Sequence, residues 1–251
     1  MSFGISRLFA ARRHRRLGLV LAVLTTVALV LESIGSWQIF WENRYYLGLG
    51  LLTSWYLTVS AILIGLGGGI ILAAARLYGP IGLRHISIAF IEIVRAIPDL
   101  MVIFWIYYGV PSLTGIQFGA MPAAILSLSI IASAYLAEDV RSGIMSVPAI
   151  QAESAHASGL TGLQTFLFIM LPQATRNMAP AMIATFVRIF KVTSIVFVVG
   201  VVDFFRAAII INNIVNEPYA IYCLVAVVYF VSCFGLSQFV RQFGSDQKFS
   251  H

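Results

Sequence analysis

The sequence predicts an all-α, polytopic membrane protein with about six transmembrane helices. Of its 251 residues, 60% are hydrophobic and only 10% are charged, whereas a soluble domain has about 25% charged residues. The apolar runs are long enough to cross a bilayer as helices and do not alternate with a period of two, which argues against a barrel. Since lipid offers no hydrogen bonds to the backbone, helices are the spanning structure that remains.

Six spans are expected, at residues 17–36, 49–75, 86–109, 123–143, 178–200 and 218–240. A basic segment before the first span is typical of a cytoplasmic N-terminus, and five arginines stand there: Arg7, Arg12, Arg13, Arg15 and Arg16. Six spans return the C-terminus to the same side. A signal peptide is the alternative for the first span, but its apolar part is long and no clear cleavage site follows, so an uncleaved helix is expected.

The chain has no linker or internal repeat that would divide the spans into separate units. We therefore expect a basic cytoplasmic N-terminus, an additional transmembrane helix with its outer loop, one permease-type domain and a short cytoplasmic tail, at residues 1–16, 17–48, 49–243 and 244–251. The net charge of +6 does not indicate nucleic-acid binding, because the arginines cluster where they orient the first span and contact anionic membrane lipids.

Residues 148–172 form the most polar long stretch between the spans and are expected on the cytoplasmic side. Pro148 is suited to the start of a helix, and Gly159 to a left-handed C-terminal cap. Thr161 and Gln164 have the spacing of a capping box. The pattern predicts a helix, a tight glycine turn and a second helix.

One side of the first of these helices carries only small residues, at Ala149, Ala152, Ala155 and Gly159. Small side chains allow another surface to approach closely. An exposed helix that merely uses alanine for its helix propensity is the alternative.

The spacing Glu153-x-Ala155-x3-Gly159-x9-Ile169-x-Leu171-Pro172 resembles the signature loop of ABC importer permeases, with Ser154 in place of an alanine. The stretches Ala134–Glu138 and Leu171–Ala174 are similar to the polar amino-acid uptake subgroup, whose usual Arg-Gly-Thr/Ser-Pro is Arg-Ala-Ile-Pro here. The resemblance implies a type I importer fold, a five-helix core preceded by an extra helix. It also implies that the loop docks on a separate ATPase through Glu153, Ala155, Gly159, Ile169, Leu171 and Pro172.

The same resemblance implies the partners and the location. They are an ABC ATPase dimer that binds ATP and Mg²⁺, a second permease subunit, identical or homologous, and a periplasmic solute-binding protein, assembled at the bacterial inner membrane. The chain has no Gly-x4-Gly-Lys-Ser/Thr motif, so we expect a transport subunit that is not itself an enzyme and holds neither cofactor nor metal.

Charged residues inside the predicted spans are candidates for a substrate pathway, because charges at membrane depth are costly and are usually functional. Together with a neighbouring tyrosine, the candidates are Glu92, Arg95, Tyr135, Glu138, Arg188 and Lys191. Glu138 would hold the ammonium group of a substrate, and Arg95, Arg188 or Lys191 would hold the carboxylate of the substrate. Structural pairing is the alternative. Glu92 with Arg95, and Glu138 with Arg141, have the i, i+3 spacing of pairs within one helix. Glu92, Glu138 or Asp139 are expected to face Arg188 and Lys191 from other helices.

Asp203 opens an outer stretch, 201–217, and is implied by the resemblance to belong to an outer gate; a capping role is the alternative. The sequence thus predicts the permease subunit of an ATP-driven importer for polar amino acids or related small solutes. A secondary transporter driven by an ion gradient is the main alternative. A membrane enzyme is disfavoured because the histidines are scattered. A scaffold that only anchors an ATPase is disfavoured by the intramembrane charges.

Overall fold

The computed structural model describes residues 37–245 together with Thr25. The predicted N-terminus and, apart from Thr25, the predicted first span lie outside these residues, as does residue 246 onward of the predicted tail. Within residues 37–245 the chain forms helices joined by short turns, and no strand occurs there. This confirms the all-α prediction.

The described region contains nine helices. Two of them include a π-helical turn, at Trp105–Gly109 and Thr165–Met170, and one ends in a 3₁₀ turn, Thr193–Val199. In chain order the helices are α1 (Trp37–Glu42), α2 (Arg44–Tyr78), α3 (Ile81–Ala96), α4 (Asp99–Thr114), α5 (Ala120–Met145), α6 (Ala149–Ala157), α7 (Gly162–Val199), α8 (Phe204–Val215) and α9 (Pro218–Ser245).

Four of these helices are long and apolar enough to cross a bilayer: α2, α5, α7 and the first part of α9, to Gln238. They confirm the spans predicted at 49–75, 123–143, 178–200 and 218–240. α7 begins well before the predicted span, at Gly162, because the helix started by the capping box at Thr161 continues into the membrane segment without a break.

The prediction of one continuous span at 86–109 is wrong. The chain forms two helices there, α3 and α4, separated by an extended residue, Ile97, with φ −81° and ψ 141°. The cause is Pro98, whose ring disfavours the helical conformation of the residue before it. α4 is apolar but shorter than the four long helices.

Helices α2 and α5 form the principal pair of the core. Gly65 and Gly69 of α2 lie against Ala132 and Leu136 of α5, and a Cβ atom built on either glycine would come within 2.5 and 2.9 Å of those side chains, respectively. Small residues at a helix interface allow the backbones to approach closely, as is common in membranes. Leu57, two turns before Gly65 in α2, is fully buried in the same core.

A second apolar cluster packs the other end of α2 against α8 and α9. Phe40 of α1 and Leu47 of α2 are buried in it with Phe204 and Ile211 of α8 and Ile221 of α9. This cluster holds α8, which is too short to span, against the longer helices.

The substitution Gly65→Ala is expected to destabilise the fold, because its methyl group would overlap Ala132 and approach the Ser129 carbonyl oxygen to 3.2 Å. Overpacking of this kind costs about 1–3 kcal/mol, which lowers the melting temperature by about 2–10 °C. Gly67→Ala is the matched control, since a Cβ atom at Gly67 meets nothing within 4 Å. Thermal unfolding of the purified protein in nanodiscs measures both. Equal melting temperatures for the two variants would contradict the close α2–α5 contact.

Candidate functional site

The loop between α5 and α7 folds as the sequence predicts. α6 ends in a left-handed glycine, Gly159, with φ +83°. The Gly159 N–H donates to the His156 carbonyl oxygen (2.9 Å) and the Leu160 N–H to that of Ala155 (3.1 Å), which is the pairing of a Schellman cap. Thr161 and Gln164 form both hydrogen bonds of a capping box. The predicted helix, glycine turn and second helix are confirmed.

The surface of α6 is mostly open. Glu153 is exposed, and Ile150 is 60% exposed although it is apolar. Ala155 is instead buried, on the side where α6 packs against the π turn Thr165–Met170 of α7. The small-residue stripe is therefore divided: Ala149 and Gly159 are exposed, whereas Ala155 forms the contact with α7.

The remaining residues of the predicted docking loop lie in α7 itself. Ile169 and Leu171 are half-buried and Pro172 is exposed. Their helix is continuous with the segment that carries Arg188. One helix, α7, therefore contains both these loop residues and the charged residue Arg188. The docking role of the loop residues stays a prediction.

Glu138 lies at the centre of an ion-pair cluster between α2 and α5. Arg76 of α2 donates to its carboxylate at 2.9 Å, and the Arg141 Nε donates to both carboxylate oxygens at 3.1 and 3.2 Å. Glu92 of α3 approaches Arg76 at 4.0 Å. Two arginines therefore already neutralise Glu138. The pair Glu138–Arg141 confirms the pairing expected at i, i+3, and Arg76 was not among the predicted residues. The pair expected between Glu92 and Arg95 is not formed, because the cation within 4.0 Å of Glu92 is Arg76.

A second cluster gathers residues from four helices around Tyr135 of α5. The guanidinium carbon of Arg188 (α7) lies 4.1 Å from the ring centroid and that of Arg95 (α3) lies 5.4 Å from it. Arg188 Nη2 also donates to the two carboxylate oxygens of Asp99, the first residue of α4, at 2.9 and 3.2 Å. Both guanidinium contacts are within the range of cation–π interactions.

The expected partner of Arg188 is therefore corrected. The sequence suggested Glu92, Glu138 or Asp139, but the carboxylate that faces Arg188 is Asp99, and Asp139 accepts a hydrogen bond from Thr185 at 2.6 Å. The one sequence signal for this pairing was the carboxylate of Asp99, which directly follows Pro98 in an apolar stretch. Its partner, 89 residues away, was not predictable from helix spacing.

Lys191 is separated from the Tyr135 cluster. It lines a cleft of about 440 Å³ between α7, α8 and α9, whose other lining residues are Ser194, Phe205, Val225, Ala226, Tyr229, Phe230 and Cys233. The lining is mainly apolar, and Lys191 is the one cation among the described residues that line the cleft. The predicted pathway residues thus occupy three places: the Glu138 cluster, the Tyr135 cluster and this cleft.

Asp203 is fully buried and caps the N-terminus of α8. Its carboxylate accepts hydrogen bonds from the backbone N–H groups of Arg206 (2.9 Å) and Phe205 (3.2 Å). The neighbouring Phe204 N–H donates to the Ser54 hydroxyl of α2 at 3.1 Å. The geometry agrees with the capping role that the sequence left open, and an outer-gate role stays a prediction.

Among the side chains that the structure describes, no group of three or more histidine, cysteine or acidic residues is arranged to hold a metal ion. Neither of the two charged clusters collects such ligands, because each combines carboxylates with arginines. Arginine is a permanent cation and does not ligate metals.

Comparison with solved structures shows the same fold. The described helices are similar to a chain in a crystal structure of an amino acid ABC transporter with histidines, with a TM-score of 0.77, 29% identity, and coverage of 82% of this chain and 95% of that one. The methionine ABC transporter MetNI, in inward-facing form, has a TM-score of 0.63 at 21% identity over 80% of this chain and 97% of its own, which supports the fold alone.

Comparison with curated proteins and family models assigns the family. The probable glutamine ABC transporter permease protein GlnP of Bacillus subtilis is 32% identical over 80% of this chain and 93% of its own length. The glutamate/aspartate import permease protein GltK of Escherichia coli O157:H7 is 32% identical over 78% and 90%, respectively. Residues 65–248 match the family model "Binding-protein-dependent transport system inner membrane component". The chain belongs to this family, as a permease subunit of an ABC importer rather than its ATPase.

Proposed function

We propose that the chain forms the membrane path of an ATP-driven importer for polar amino acids or related small solutes. The observation that carries the proposal is the mostly exposed helix α6 with its glycine cap, which together carry the signature residues Glu153, Ala155 and Gly159 just before α7. The relatives named for glutamine and for glutamate and aspartate support the amino-acid class.

The complex in this proposal has two permease subunits, an ABC ATPase dimer and a periplasmic solute-binding protein. ATP and Mg²⁺ bind to the ATPase, so this chain performs no catalysis and needs no cofactor of its own. Both chain termini face the cytoplasm, the side that also carries α6. α8, capped by Asp203, stands at the opposite end and responds to the binding protein.

Coupling passes from α6 into α7 by direct contact. α6 packs its buried Ala155 against the turn Thr165–Met170, and that turn belongs to the same continuous helix as Arg188. When the ATPase dimer closes, it pushes on α6, and α7 tilts as a unit. Alternating access by rigid-body motion of packed helices follows from this arrangement.

The translocation path runs past the Tyr135 cluster. Arg95 and Arg188 present two guanidinium groups to a substrate carboxylate there, and Arg188 is 42% exposed. Lys191 lines the path further along α7, in its separate cleft. Glu138 was expected to hold a substrate ammonium, but Arg76 and Arg141 already compensate its charge, which supports a role in fixing α2 against α5.

The docking role of α6 is tested by substituting its cap. Gly159→Ala puts a Cβ atom on a left-handed residue, which costs about 1–2 kcal/mol and unwinds the end of the docking helix. We expect less of the cognate ATPase to co-purify with the tagged chain from membranes that contain both, and we expect Glu153→Lys to reduce it further. Gly162→Ala is the control, because Gly162 has open space around it and begins an ordinary helix.

Two results would contradict docking through α6. One is a parent chain that retains no ATPase at all. The other is equal retention of the ATPase by the Gly159→Ala and Gly162→Ala variants, which would show that ATPase binding does not depend on the cap of α6.

The structural role of Glu138 predicts a loss of stability. Glu138→Gln removes the negative charge that faces Arg76 and Arg141 and is expected to cost about 1–3 kcal/mol, with a melting temperature lower by about 2–10 °C. The exposed Glu153→Gln variant, whose carboxylate forms no ion pair within the described region, is expected to melt like the parent. Normal melting of Glu138→Gln together with lost uptake would instead make Glu138 a substrate group.

A further inference from the structure

The hydroxyl group of Tyr229 in α9 is buried, yet no group in the described region forms a hydrogen bond with it. A buried donor without a partner loses the hydrogen bonds that water would give it, so it destabilises the conformation in which it occurs. Buried polar groups are nearly always paired in folded proteins, and an exception calls for an explanation. The surroundings of Tyr229 indicate which partner it lacks.

The Tyr229 ring lies where α9 meets α7 and α8. It contacts Phe190 of α7 and Phe204, the first residue of α8, with ring centroids 5.4 and 5.8 Å away, respectively. Tyr229 also borders the cleft of about 440 Å³ that Lys191 lines. The ring therefore touches both packed helices and open space, so it has room to shift.

The polar side chains nearest to the Tyr229 hydroxyl belong to Ser54, Thr193, Ser194 and Asp203, but none of them has the geometry of a hydrogen bond to it. Each of the three serine and threonine hydroxyls already donates to a backbone carbonyl oxygen of its own helix, at 2.7–3.3 Å. An ionised carboxylate only accepts. Among these side chains, the uncommitted donor is therefore the Tyr229 hydroxyl, and the others offer it acceptors.

The Asp203 carboxylate gains most from a further donor. It is fully buried, and each of its two oxygens accepts one backbone N–H, from Arg206 and from Phe205. A carboxylate has about four acceptor positions, so about half of them remain free. A hydrogen bond to an ionised group is roughly twice as strong as one between neutral groups. Asp203 is thus a better partner for Tyr229 than the neighbouring hydroxyls.

We infer that Tyr229 is a positioning residue for the junction between α7 and α8. Its hydroxyl is unpaired in this conformation and donates to Asp203 in the second conformation of the transport cycle. The bond ties α9 to the start of α8. The inference rests on the proposed import function, which requires two conformations, and goes beyond it by naming a contact that distinguishes them.

The energetic reason is that a contact made in only one of two conformations shifts the equilibrium towards that conformation. The unpaired Tyr229 hydroxyl raises the free energy of the present conformation, and the bond to Asp203 lowers that of the second one. Both effects favour the second conformation. Small sliding of packed helices is an ordinary form of such a transition, and the two groups are already neighbours.

The test compares thermal unfolding of the permease–ATPase complex in nanodiscs without nucleotide and with ATP and vanadate, which trap the closed ATPase dimer. Without nucleotide, Tyr229→Phe is expected to be at least as stable as the parent, because it removes an unpaired hydroxyl. ATP and vanadate are expected to raise the melting temperature of the variant by about 2–4 °C less than that of the parent, because the bond to Asp203 is missing. A purely structural role would change both states alike.

Two further variants identify the partner. Tyr222→Phe is the matched control: Tyr222 lies two turns earlier in α9, is 43% exposed and is not among the neighbours of Asp203, so the variant should respond like the parent. Asp203→Asn is expected to reduce the response to ATP and vanadate as Tyr229→Phe does, and the double variant no further, since residues that share one bond are not additive. The Tyr229→Phe comparison decides even if Asp203→Asn does not fold.

Any of three results overturns the inference: Tyr229→Phe lowers the melting temperature without nucleotide, it leaves the response to ATP and vanadate unchanged, or its effect adds to that of Asp203→Asn. A parent complex that does not respond to ATP and vanadate contradicts the proposed function and the inference together, because the chain then has no ATP-driven second conformation. A parent complex that responds, beside a Tyr229→Phe variant that responds equally, contradicts only the inference.

Discussion

The pairing of charges across helices at membrane depth is the constraint on which this structure depends. Arg76, Glu138 and Arg141 join α2 to α5, and Asp99 with Arg188 joins α4 to α7. Separating either group would leave partly buried charges without their partners, so the helices that carry them keep one register. The glycine contact between α2 and α5 is compatible with this register, because Gly69 meets Leu136 close to Glu138.

α7 connects the two places where function is proposed. It starts at the capped turn beside α6, runs through Arg188 and ends in the 3₁₀ turn before Asp203. A displacement of α6 therefore has a physical path to the Tyr135 cluster and onward to α8. The π turn Thr165–Met170 lies at the end of this path next to α6, and such turns frequently occur at functional positions.

The sequence was sufficient where the determinants are local. The Gly159 cap and the Thr161–Gln164 box are set by neighbouring residues, and the long apolar runs define the spans. The break before Pro98 was readable but was outweighed by the length of the apolar run. The pair Asp99–Arg188 was not predictable, because it depends on how α4 and α7 pack. Lys191 shares a helix with Arg188, yet the three-residue offset and the neighbouring helices place it in another cleft.

ATP-driven transport is best tested by uptake of radiolabelled amino acid into proteoliposomes that contain the chain, its ATPase and the loaded binding protein. An importer of this family is expected to accumulate the amino acid with ATP and not without it, even when a proton or sodium gradient is applied. Accumulation driven by an ion gradient in vesicles that contain this chain without the ATPase would contradict ATP-driven import and favour a secondary transporter.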